Sequence, residues 1–127
     1  DYLHKANNNG ITPLYSAAQN GHVNVIQALL QGLTPEERLT YLYIAETDKC
    51  TPLYIAAQNG HVEVIKELLQ GLSDEERKAY LHMATNHGGT PLNIAAKKGH
   101  SQVVRVFKEY GVQESWCMWI RRNLGFS

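Results

Sequence analysis

One phrase is written three times in this chain, and that repetition constrains the fold more than any other feature. TPLYSAAQNGHVNVIQALLQGL occupies 12–33, TPLYIAAQNGHVEVIKELLQGL occupies 51–72, and a looser copy, TPLNIAAKKGHSQVVRVFKEYG, begins at Thr90. The starts, Thr12, Thr51 and Thr90, are 39 residues apart. A fixed period of this length describes a linear array of like units, each one burying the face of its neighbour.

A single copy reads as two short helices. Thr51-Pro52 has the form of a helix start: the hydroxyl can accept from orphan amides, and proline at the first helical position gives up no hydrogen bond. Leu53, Ala56 and Ala57 then make a narrow apolar stripe of small side chains, which favours close packing. Gly60 ends this helix as a left-handed terminating residue. His61 opens a second helix whose stripe is Val64, Ile65, Leu68 and Leu69. Neither helix can bury its face alone, nor can the pair; a stacked neighbour solves this for both.

The pattern TPL-x-x-AA-x-x-GH followed by an apolar helix, at 12–22, 51–61 and 90–100, resembles the ankyrin repeat. The resemblance covers the chain to about Val112. It implies an all-α solenoid of stacked helix–turn–helix units joined by extended hairpin loops. The units expected are approximately 2–40, 41–79 and 80–111, with a C-terminal segment 112–127, all in one domain spanning 1–127.

Two features depart from that family. The period of 39 exceeds the family's usual repeat of about 33 residues, and the surplus follows the second helix, in GLTPEERLTYLYIA (32–45) and GLSDEERKAYLHMA (71–84). Thr34 and Ser73 each stand three residues before Glu37 and Glu76, the spacing of a capping box. The first two units are therefore expected to carry an extra short helix. Its positions Tyr41/Tyr80, Leu42/Leu81 and Ala45/Ala84 should face the array, and its EER segments should face water. The other departure is Tyr15, Tyr54 and Asn93, where the family commonly has histidine after TPL. The hydrogen bonds that histidine makes near the threonine must be rebuilt here.

The ends carry expectations of their own. Tyr2-Leu3 aligns with Tyr41-Leu42 and Tyr80-Leu81, so the chain reads as a piece of a longer array. The third copy has Ser101 for Val62 and Lys108 for Leu69, which makes its second helix more polar. QESWCMWIRRN (113–123) then places Trp116, Trp119 and Ile120 on one helical face. This segment is expected to be a C-terminal capping helix; an exposed partner-binding or membrane-touching helix is the alternative.

Composition excludes several function classes. The 127 residues carry a formal charge of +0, so no global field points to nucleic acid. No apolar run approaches the ~20 residues needed to span a bilayer. Two cysteines, Cys50 and Cys117, suit a reducing compartment rather than a disulfide framework, which points to an intracellular, cytoplasmic protein. His22, His61 and His100 recur in the GH turn and have a structural explanation. His82 and His87 have a spacing used in zinc sites but no accompanying cysteine pair. No phosphate loop or nucleophile elbow is present. No enzyme activity, metal or cofactor is expected.

Comparing the copies with one another separates scaffold from variable surface. Thr, Pro, Leu, the Ala pair, Gly and His stay fixed. The changes cluster in the loop before TP (Asn8, Asn9 and Ile11; Thr47, Asp48 and Cys50; Asn86, His87 and Gly89) and at the end of the first helix (Gln19 and Asn20; Gln58 and Asn59; Lys97 and Lys98). In proteins this chain resembles, such positions line a concave groove that holds a partner. The expectation is a monomeric, non-catalytic module that binds a partner protein through these residues, without nucleic acid or membrane. The alternative is a spacer segment of a larger protein whose activity lies elsewhere.

Overall fold

The computed structural model describes residues 11–44 and 49–110. Among these residues there are eight helices and no strand: α1 (Pro13–Asn20), α2 (Val23–Leu30), α3 (Pro35–Tyr43), α4 (Pro52–Asn59), α5 (Val62–Leu69), α6 (Asp74–Leu81), α7 (Pro91–Lys97) and α8 (Ser101–Glu109). The C-terminal segment 112–127, with its expected capping helix, lies outside the described residues, as do Ala45 and the Tyr2-Leu3 pair.

Each first helix is built at its N-terminus by the threonine. Thr12, Thr51 and Thr90 accept from the backbone N–H of Tyr15, Tyr54 and Asn93, each at 3.1 Å. Asn93 goes further: its Oδ1 accepts from the Thr90 N–H at 2.9 Å and completes a capping box. A side chain too short to reach elsewhere thus satisfies a second orphan donor at its own helix start. Gly21 and Gly60 end α1 and α4 at φ 75, in the left-handed region.

Helices of seven to nine residues fall below the length of about 12–15 residues at which isolated helices persist in water. They persist here by stacking. α4 packs between α1 and α7 in one layer, and α5 packs between α2 and α8 in the other. Val64, Ile65, Leu68 and Leu69 of the middle unit are completely buried. Burying such a side chain contributes about 1.5–3 kcal/mol, so this one stripe outweighs any propensity term in its helix. Val25, the counterpart of Val64 and Val103, is 45% exposed while those two are 0%. The difference is positional, since among the described residues no unit lies in front of the first.

The extra helices α3 and α6 form as the capping-box spacing predicts. Thr34 and Ser73 accept from Glu37 and Glu76 N–H at 3.1 Å, and the two glutamates accept in return from the cap N–H groups. They brace successive units. The Tyr80 hydroxyl, fully buried, donates to the Leu42 carbonyl at 2.8 Å, and its ring meets Tyr43 edge-on at 5.0 Å. Leu42 and Leu81 are buried as expected, but Ala84 lies exposed past the end of α6. The EER segments also differ from expectation, because their arginines turn inward. Arg38 donates through Nη2 to the Glu67 carbonyl at the end of α5 (3.0 Å), and Arg77 lies 5.1 Å over the Tyr110 ring. A guanidinium on a long apolar stem can cover surface and still reach a helix's last carbonyls.

Candidate functional site

The fixed histidines determine how the variable residues are arranged. The His61 Nε2 lies 3.0 Å from the Gln19 carbonyl, and the His100 Nε2 lies 2.9 Å from the Gln58 carbonyl. A carbonyl oxygen can only accept, so each ring carries its proton on Nε2. The same rings cover the turn glycines. A Cβ on Gly21 would stand 2.8 Å from His61 Nδ1, and one on Gly60 would stand 2.8 Å from His100 Nδ1. Only glycine tolerates both the left-handed φ and this approach. Each unit's turn is thereby locked to the next.

These locks set the helix-end residues in a row. Gln19, Asn20, Asn59, Lys97 and Lys98 are exposed and Gln58 is half-buried. The row is partly self-bonded. The Asn59 amide donates to the Gln19 carbonyl at 3.0 Å, bridging two units, whereas its counterpart Asn20 donates to Ser16 within its own helix. The cationic end of the row, Lys97 and Lys98, belongs to the third unit, where α7 ends one residue earlier than α1 and α4 and Lys98 takes the cap position in a right-handed conformation.

The loop residues form a second row at the opposite ends of the first helices, about 12 Å away along an eight-residue helix. Asn8, Asn9, Thr47 and Asp48 lie outside the described residues. Ile11 and Cys50 are half-buried against the core, so they present only an edge to solvent. Asn86 and His87 are exposed on the tight loop between α6 and α7. That loop is closed by the Thr85 N–H on the Gly89 carbonyl and the Gly88 N–H on the Thr85 carbonyl, both at 2.9 Å. Gly89 contributes backbone to this loop, and a Cβ there would make only ordinary contact with the Tyr54 hydroxyl at 3.5 Å.

Tyr54 is the residue the copy-to-copy comparison left out. Its hydroxyl lies within the loop row, near Gly89, and burial raises its pKa, with the Cys50 thiol adding to the effect. The signal was present in the sequence, as the tyrosine standing where the family commonly has histidine. Lys49, exposed and at φ 62, is a second omission. Backbone of that kind in a non-glycine residue is uncommon and marks a tight turn.

Among the described residues no group of three histidine, cysteine or acidic side chains is placed to hold a metal ion, and no helix is long and apolar enough to cross a membrane. A family model described as ankyrin repeats, in three copies, matches residues 1–71 and again residues 37–115. No curated protein matches the chain.

Proposed function

Because the chain belongs to the ankyrin-repeat family, we propose that it is a non-catalytic recognition module that holds a partner protein against the row of variable side chains along its stacked first helices. Ankyrin repeats are generally protein–protein interaction modules. The observation that carries the reading to this chain is the combination of locked backbone and varied side chains. Gln19 and Gln58 offer their carbonyls to the histidine of the following unit, while the side chains of the row, a Gln-Asn pair in each of the first two units, change to Lys97 and Lys98 in the third. A row held in this way is ordered before it binds, which lowers the entropic cost of association. Action as a monomer inside the cell, in the cytoplasm, is part of the same proposal.

The charge of the rows narrows the partner. Lys49, Lys97 and Lys98 are exposed there, and no acidic side chain stands among the described residues of either row. The partner segment is therefore acidic where it meets the third unit. Reversing Lys97 and Lys98 to glutamate should weaken binding by tenfold or more at low salt, with a smaller effect at high salt, as measured by calorimetry on a captured partner. Unchanged affinity would remove this face from the interface. A spacer role is the competing reading; it predicts no captured partner for any surface of the stack.

A further inference from the structure

The rear of the third unit carries an open groove. Ala96, Gly99, His100, Val104, Arg105 and Lys108 line a cavity of about 540 Å³. The two internal copies show what such a surface becomes when covered. Ala18 and Ala57, which correspond to Ala96, are fully buried, as are Ile26 and Ile65, which correspond to Val104. Leu30 and Leu69, at 4% and 0% exposure, correspond to Lys108, which is exposed. Gly21 and Gly60 meet the next unit's histidine ring, whereas a Cβ on Gly99 would meet nothing within 4 Å among the described residues. The groove is thus an inter-unit surface with its apolar floor retained and, at Lys108, a cation in place of a buried leucine.

That change says what the groove fits. A full repeat would bring a broad apolar face and leave Lys108, whose counterparts Leu30 and Leu69 are buried, without a partner, at a large desolvation cost. A narrow stripe of aromatic side chains suits the surface better. It would cover Ala96 and Val104 and accept the two cations over its ring faces. The chain holds one such stripe beyond α8, at Trp116, Trp119 and Ile120, spaced i, i+3, i+4. It starts close by: Tyr110, two residues after the groove residue Lys108, is packed under Arg77. The five residues from 111 to 115 can span up to about 16–18 Å, enough to turn back along α8.

We infer that the tryptophan stripe of the C-terminal segment seats in this groove and closes the stack from within the same chain. The reading does not depend on the partner-binding row. The chain's two tryptophans, Trp116 and Trp119, both lie in the segment, so tryptophan fluorescence of the full chain, excited selectively over its 7 tyrosines, reports on it alone. The expected result is emission clearly blue-shifted from that of the urea-unfolded chain and poorly quenched by acrylamide. Val104→Glu, which puts a charge on the groove floor, should return emission towards the unfolded value and raise quenching severalfold. R105E/K108E alters exposed side chains only and should shift both readouts in the same direction with the helical circular dichroism unchanged, so the idea stays testable if V104E fails to fold. Water-exposed emission in the native chain would overturn the inference. So would buried emission that R105E/K108E leaves unmoved, or emission that turns blue only as protein concentration rises, which would give the groove to a second copy.

Discussion

At the scale of single residues, the histidine of each turn does more than its sequence position announces. The GH pair reads locally as the end of one helix and the start of another, and so much was legible in the repeat. Its partner, a carbonyl 42 residues earlier, was not, because nothing in a sequence marks which backbone oxygen a neighbouring unit leaves open. The arrangement makes a specific prediction. Gly60→Ala and Gly71→Ala both place a side chain at a left-handed φ, at 75 and 80, but only Gly60 faces a ring. Each should lose about 1–2 kcal/mol for the backbone conformation, with a further loss at Gly60 as His100 is pushed from its bond. Urea unfolding of the two variants measures the difference, and equal losses would refute the lock. Tyr80 gives a second prediction. Burial raises its pKa far above 10.0, so the folded state keeps its proton where the unfolded chain releases it. Its contribution is complete below about pH 10 and falls as pH rises beyond that. Tyr80→Phe should cost about 1 kcal/mol at neutral pH through the lost bond to Leu42 and should make the decline above pH 10 shallower. A decline of unchanged steepness would mean that other tyrosines set it.

At the scale of elements, the extra helices show how far local signals reach. Their existence and starts were legible, because Thr34/Glu37 and Ser73/Glu76 are bonded within four residues of each other, where sequence spacing decides geometry. Their contacts were not. Arg38 was expected in water and instead reaches the Glu67 carbonyl of the next unit, and Ala84 was expected inside and lies outside, since α6 ends at Leu81. The helices act as braces between units, with the boxes holding them in shape. Thr34→Ala and Ser73→Ala should each lower stability by about 0.5–2 kcal/mol. Arg38→Ala should lower it by about 1 kcal/mol, and the loss should appear as weaker protection of α5 amides in hydrogen exchange. An effect confined to α3 would show that Arg38 does not brace the next unit.

At the scale of the whole molecule, a stack of like units separates the two tasks its residues perform. Fixed residues carry packing, and their repetition made the solenoid legible from the three copies of TPL. Varied residues carry the surface, and comparison of the copies located two rows without showing that they lie about 12 Å apart at opposite ends of the same helices, or that Ile11 and Cys50 lean on the core. Residues at one end of a short helix are close in sequence to those at the other, so spacing alone does not separate the rows. The most direct test of the central claim is capture from a cell lysate with three forms of the chain: the wild type, a row variant with Gln19, Gln58, Lys97 and Lys98 changed to alanine, and a control carrying Lys66→Glu, whose side chain is exposed on α5. With all three shown to be folded by circular dichroism, a protein held by the wild type and the control but released by the row variant is the predicted result. A protein held equally by all three, or none held by any, would contradict it.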